Sequence, residues 1–233
     1  MDPSLDFTRF RVITFDCYGT LVDWETGILN SLRPILSAHG ATLDDAEILR
    51  LYGELEARAE GSEYRPYREV LGDVVRGFGE RLGFSATAGE QQSLPDSLAT
   101  WKPFPDTIAS LRRLKSKFKL AIISNVDDDL FSATALQLEI VFEYVTTAGQ
   151  ARAYKPSLEI FRFAQNKMNT AAEQWLHAGQ SIYHDVIPAK SLGISTVWVN
   201  RPSVRPGGGA AKTASATPHV EVHNLAELAQ LAA

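Results

Sequence analysis

One cysteine stands in 233 residues, which excludes an intrachain disulfide and any cysteine-based metal cluster. Apolar runs are short: none reaches the ~20 residues of a membrane-spanning helix, so no membrane partner is expected. Met1 to Arg9 mixes Asp, Pro, Ser and Arg without an apolar h-region. No signal peptide is read there, and a cytoplasmic location is expected. Positive charge is in deficit, with 23 Lys and Arg against 28 Asp and Glu for a formal charge of −5. Such a balance argues against nucleic acid as a partner. What is present is a hydrophobic content of 45%, enough for one large domain or a core with a smaller companion.

The chain is organised around Arg11 to Asp23. Val12-Ile13-Thr14-Phe15 reads as a buried strand, broken by Asp16 and then by Gly19. A carboxylate at the end of a buried strand points into the crevice where open α/β sheets place ligands. From Leu29 through Leu36 the apolar positions take helical spacing. Between Leu43 and Phe84 they form further stripes, Ile48-Leu51-Tyr52-Leu55 and Val70-Leu71-Val74-Val75-Phe78. Gly83 to Pro95 is polar and reads as loop with at most a short helix.

Beyond the paired prolines Pro103 and Pro105, strand and helix patterns alternate. Strands are expected at Lys119–Asn125, Val141–Thr147, Trp175–Gly179, Ile194–Val199 and Val220–Val222. Helices fall between them, including Thr107 to Lys117 and Ser157 to Met168, and a last helix begins at Asn224. This alternation predicts an α/β fold with a Rossmann-like, doubly wound parallel sheet. The helical stretch after the first strand predicts an inserted helical cap, residues 22–96, on a core of 1–21 and 97–233. Arg201 to Pro218, with three successive glycines, reads as a mobile surface loop, with a cover over the crevice as the alternative reading.

Asp16, Ser124-Asn125, Lys155 and Asp185 all follow strand ends or neighbouring turns. Each alone has a plain reading as a turn or helix cap. Phe15-Asp16-Cys17-Tyr18-Gly19-Thr20-Leu21, with the other three in order, resembles the four motifs of the haloacid dehalogenase (HAD) superfamily over essentially the whole chain. The resemblance implies that Asp16 is a nucleophile forming a covalent intermediate. Such a carboxylate needs a fixed cation and orienting donors. Lys155 is the expected cation and should depress the Asp16 pKa. Ser124 or Asn125 would donate to the substrate's anionic or departing group. Thr20 would orient the carboxylate, and Asp185 would hold Lys155 or activate water.

Tyr18 stands where phosphatase members of the family carry an acid that protonates the leaving alkoxide. A halide leaves without a proton, so Tyr18 favours attack at carbon and resembles the 2-haloacid dehalogenase branch. Gln180 replaces the early Asp of the fourth motif in Mg²⁺-dependent members, so no metal or other cofactor is expected. Asp127-Asp128-Asp129 read as the first turn of a helix. The cap departs from the dehalogenase pattern: Gly53 or Glu54 stands where an Arg is expected, with Arg50, Arg58, Arg65 and Arg68 as substitutes. Phe161 and Ile182 replace that branch's Tyr and Asn.

Asp23-Trp24-Glu25-Thr26-Gly27 and Ser181-Ile182-Tyr183-His184-Asp185 also resemble the azetidine-2-carboxylate hydrolases of this family. The substrate pocket is expected to be lined by Cys17, Tyr18, Trp24 and Asn125, although Cys17 by type is also a small buried filler. The expected function is a 2-haloacid dehalogenase-like hydrolase acting on a small anionic substrate through an ester, with a homodimer compatible with such a chain. The rivals are an Mg²⁺-dependent small-molecule phosphatase, a ring-opening azetidine-2-carboxylate-type hydrolase and a non-catalytic binding module.

Overall fold

A computed structural model describes residues 5–61, 63–201, 210 and 214–232. Six strands form one sheet: β1 (Val12–Phe15), β2 (Lys119–Ser124), β3 (Tyr144–Thr147), β4 (Trp175–Gly179), β5 (Ser195–Val199) and β6 (Val220–Val222). Their order is β3-β2-β1-β4-β5-β6, and every neighbouring pair is parallel. All four residues of β1 are buried, as expected for a central strand covered on both faces. The chain builds outward from β1 to β3, then returns to the other side of β1 at β4. That reversal opens a crevice beyond the β1 and β4 carboxyl ends, and Asp16 is the first residue past β1.

Between β1 and β2 lie α1 (Trp24–Ala38), α2 (Asp45–Glu60), α3 (Tyr67–Leu82) and α4 (Ala88–Ser97). Asp44 and Glu47 close a capping box at the start of α2, which satisfies orphan backbone donors at both ends of the motif. Val70, Leu71, Val74, Val75 and Phe78 of α3 are all buried, at roughly 1.5–3 kcal/mol for each large apolar side chain. The stretch Gly83 to Pro95, expected as loop with a short helix, holds that helix as α4, which runs on to Ser97. Thr87 and Glu90 form a second capping box there, so polar residues that resemble loop in fact nucleate a helix.

After β2 come α6 (Asp128–Leu138) and β3, then α7 (Ala148–Ala151) and α8 (Leu158–Met168); α5 (Thr107–Lys115) precedes β2. After β4 come a five-residue π turn, Ile182–Val186, and α9 (Ile187–Ser191); α10 (Leu225–Leu231) follows β6. Asp128 and Asp129 occupy the first turn of α6. Of the Arg201 to Pro218 stretch, residues 202–209 and 211–213 lie outside the described residues. Ala210 packs on α2, where a Cβ on Gly53 would meet the Ala210 carbonyl oxygen at 2.4 Å. Among the described residues, no helix is long and apolar enough to cross a membrane.

Candidate active site

The turn after β1 is built to present one carboxylate. The Asp16 backbone N–H donates to Ala178 O at 3.0 Å, which continues the β1–β4 ladder one residue past the strand. Gly19 then adopts φ +90°, and a Cβ there would meet Trp24 Nε1 at 2.9 Å. Only glycine meets both demands. The loop closes through Leu21 and Val22 N–H groups donating to Cys17 O. Thr20 is thereby turned back on Asp16, and its hydroxyl donates to Asp16 Oδ2 at 2.7 Å. Thr20 Oγ1 in turn accepts from Gln180 N–H at 2.9 Å, which ties the first loop to the one after β4.

Lys155 reaches the same point from the segment between α7 and α8. Its Nζ donates to Asp16 Oδ1 and to Asp185 Oδ1, both at 2.7 Å. The ammonium is 2% exposed, so this is an ion triad inside the protein. Burial works against the Lys155 charge, but the two carboxylates outweigh it and raise its pKa. Burial also opposes the Asp185 charge; Lys155 and His177 prevail and hold that carboxyl well below the usual range. Asp16 differs. Burial raises its pKa more than Lys155 lowers it, and Asp185 adds to the rise. The expected depression of Asp16 is therefore corrected: one ammonium shared by two buried acids favours the ionised form of Asp185 over that of Asp16.

Asp185 is anchored by a second network. His177 on β4 places Nε2 3.1 Å from Asp185 Oδ1 and Nδ1 2.8 Å from Thr14 Oγ1. Trp175 Nε1–H donates to Thr14 Oγ1 at 2.7 Å. The indole can only donate, so Thr14 is free to give its own proton to His177 Nδ1. The imidazole then keeps its proton on Nε2 and donates to Asp185. Ser181 N–H donates to Asp185 Oδ2 at 3.2 Å. Gly179 makes room for this, since a Cβ there would fall 2.4 Å from Asp185 Cγ.

An inner cavity of about 60 Å³ lies over the triad. Asp16, Tyr18, Trp24, Ser124, Asn125, Lys155 and Asp185 line it, so the structure brings together nearly every residue expected from the sequence. Ser124 Oγ is buried and, among the described residues, is the buried side-chain polar atom that has no hydrogen-bond partner. It faces the cavity as a donor awaiting an acceptor. Asn125 is committed elsewhere: its Oδ1 accepts the Lys155 N–H at 2.7 Å and its Nδ2 donates to Lys155 O at 3.1 Å. That bracket positions Lys155 and engages the Asn125 amide, while Ser124 Oγ on the same lining is unengaged. Cys17 is fully buried in the hydrophobic core. Its expected place in the pocket lining is corrected, because the turn sends Asp16 to the crevice and Cys17 inward.

Tyr18 donates to or accepts from Thr134 Oγ1 at 2.8 Å, and burial pushes its phenol pKa well up. It is a poor proton donor at the position where phosphatase members place an acid. Phe161 is buried against Trp175 and His177. Of the arginines considered, Arg50 pairs with Glu54, Arg65 with Asp73, and Arg68 with Asp96 and Asp129. None of these, nor Arg58, lines the inner cavity. Glu56, Glu60, Tyr67, Gln180, Ser181 and His184 also line it, and the sequence reading missed the two glutamates. Tyr52, Glu56 and Glu60 recur every four residues along the inward face of α2. An acid on the stripe that carries a buried tyrosine is the signal that could have found them.

Residues 10–193 match the sequence profile of the haloacid dehalogenase-like hydrolases. The chain belongs to that family. Its hydrolase relatives include an (S)-2-haloacid dehalogenase of Pseudomonas fluorescens, 27% identical over 92% of each chain. A glyceraldehyde 3-phosphate phosphatase of Methanothermobacter thermautotrophicus is 27% identical, over 82% of this chain and 85% of its own. The L-2-haloacid dehalogenase of Xanthobacter autotrophicus shares the fold, with TM-score 0.79 at 20% identity, over 95% of this chain and 98% of that one. That dehalogenase has also been solved with chloropropionic acid covalently bound.

The family includes Mg²⁺-dependent members, and the donor set here does not fit that ion. Each oxygen of Asp16 and Asp185 already accepts a hydrogen bond, from Lys155, Thr20, His177 or Ser181. The Lys155 ammonium bridges the two carboxylates at 2.7 Å, and among the described residues no group of three or more His, Cys, Asp or Glu side chains is arranged to hold a metal ion.

Proposed function

We propose that this haloacid dehalogenase-like hydrolase displaces a leaving group from the saturated carbon of a small carboxylic acid, as a 2-haloacid dehalogenase does. Asp16 is the nucleophile. One of its oxygens forms the new C–O bond while the leaving group departs with the electron pair of its bond to carbon. Water then adds to the Asp16 carboxyl carbon, and the hydroxy acid leaves as the carboxylate is restored.

Lys155 and Thr20 fix the plane of the carboxylate, and the low-dielectric cavity leaves it poorly hydrated. Ser124 receives the substrate's carboxylate end. Asp185, with His177 behind it, holds Lys155 in place. Residues 22–96 act as the cap, closing the cavity through Trp24, Glu56, Glu60 and Tyr67 over a core of 1–21 and 97–233. The protein works on its substrate in the cytoplasm.

The observation that carries this reading is Tyr18. A buried phenol engaged with Thr134 stands where phosphatase members carry a carboxylic acid and is a much weaker acid than that group, so leaving groups that need no proton are preferred. The phosphatase reading, which the archaeal relative raises, lacks both that acid and a fitting metal site.

The test is rapid quenching of the protein with 2-chloropropionate or a strained cyclic amino acid, in EDTA, followed by peptide mass analysis. An adduct on the peptide containing Asp16, absent from Asp16→Asn, is expected. EDTA-sensitive phosphate release from an aryl phosphate, with no adduct from either acid, would sink the reading.

A further inference from the structure

The inner cavity is lined by more acids than cations. Asp16 and Asp185 contribute from the core loops, and Glu56 and Glu60 from α2; among the described lining residues Lys155 is the one ammonium or guanidinium. A wider outer cavity of about 540 Å³ adjoins it, sharing Trp24, Glu56, Glu60, Lys155 and His184. Glu63 and Glu159 line that approach together with Arg152, whose guanidinium stacks 4.3 Å over the Tyr64 ring. Acids outnumber cations on both linings, with Lys155 and Arg152 as the positive groups, so an incoming anion meets more carboxyl groups than cations, and each unpaired charge costs more as water is excluded.

The glutamates are held in place. Glu56 Oε1 accepts from the Tyr52 hydroxyl at 2.8 Å and from the Tyr67 hydroxyl. Glu60 Oε1 accepts from Asn125 Nδ2 at 3.4 Å, next to the bracket that holds Lys155. Ser124 Oγ, 1% exposed and unpartnered, lies on the same cavity. The cavity thus offers a hydroxyl donor on its core side and a pair of carboxylates on its α2 side. Burial, and for Glu60 the nearby Glu56, raise both glutamate pKa values. An arriving cation would offset that cost.

We infer that the site selects a small carboxylic acid that also carries a protonated amine, with the ammonium received by Glu56 and Glu60 and the carboxylate end by Ser124. The inference rests on the reading of this cavity as the substrate site, and it adds the substrate class. A small zwitterion matches the charge pattern; a simple haloacid matches only the Ser124 end. A bracket for Tyr52 and Tyr67 alone would need just an acceptor, which glutamine supplies equally well. Glutamine replacement therefore separates charge recognition from packing.

The test is calorimetric binding to the full-length Asp16→Asn protein, which cannot turn over its ligand. The probes are azetidine-2-carboxylate, a small zwitterion, and 2-chloropropionate, a simple anion of similar size. The zwitterion is expected to bind about tenfold or more tightly than the haloacid, the scale of one charge-assisted hydrogen bond. Adding Glu60→Gln or Glu56→Gln should weaken the zwitterion and leave the haloacid unchanged or tighter, with melting curves showing each variant folded. If a glutamine variant fails to fold, the comparison of the two ligands on Asp16→Asn alone still decides.

Zwitterion binding no tighter than haloacid binding, including no measurable binding of either, overturns the inference. So does a preference that survives both replacements. The displacement reading is judged separately by the Asp16 adduct, so either can fail without the other.

Discussion

Lys155 Nζ stands 2.7 Å from Asp16 Oδ1 and 2.7 Å from Asp185 Oδ1, so one ammonium compensates two buried acids. Lys155→Met removes that compensation and leaves both carboxylates in a low-dielectric pocket. The expected cost is about 3–5 kcal/mol at neutral pH, with loss of turnover. Urea denaturation checks it, and the cost should shrink in acid as the carboxylates take up protons.

The shared ammonium also fixes the pH dependence. Asp16 attacks only when ionised, and burial raises its pKa. As pH falls through the raised value, the fraction of nucleophile declines and kcat/KM falls with it. The midpoint of this acid limb should lie above the ~3.9 of an unperturbed Asp. A pH–rate profile under single-turnover conditions checks it, and a midpoint at or below that value contradicts it.

His177 acts through Asp185. Its replacement by Ala leaves Thr14 and Asp185 each short of a partner in a buried network, at about 1–3 kcal/mol. With Asp185 loosened, kcat should fall while KM stays nearly constant, because His177 does not line the cavity. Equal losses in a haloacid's KM and kcat would argue against this role.

Gly179→Ala places a Cβ 2.4 Å from Asp185 Cγ, so the Asp185 carboxylate must move. Turnover should drop to a small residue of the wild-type rate, with stability lowered by about 1–3 kcal/mol. Gly89→Ala meets nothing within 4 Å and serves as the control, with activity unchanged.

The parallel sheet and the residues around Asp16 were legible in the sequence because both depend on local pattern. Buried strands are continuous apolar runs, and β1, β2 and β4 end in the polar residues that line the crevice. β3 was placed early, from Val141, but Val141 is 79% exposed and pairing begins at Tyr144. The sequence places Cys17 in the pocket lining, whereas it is buried in the core, because the direction of a side chain after a strand depends on the turn that follows, which the residue string does not fix. The sign of the Asp16 shift depended on Asp185 sharing its cation across 30 residues of chain, a relation absent from any local window. Glu56 and Glu60 escape a sequence reading because charged helix positions usually face water, and only their bonds to Tyr52, Tyr67 and Asn125 around the cavity reveal the exception.

The nucleophile's cation lies 139 residues downstream of it, and the clamp on that cation another 30. During synthesis, Asp16 emerges 139 residues ahead of the cation that holds it. The network around it is complete only once β4 pairs with β1 and brings His177 and Asp185 to Lys155. Fragments ending before Asp185 should be chemically inert however well their helices form. The protonation behaviour of this one side chain then becomes an internal gauge of whether the sheet has closed.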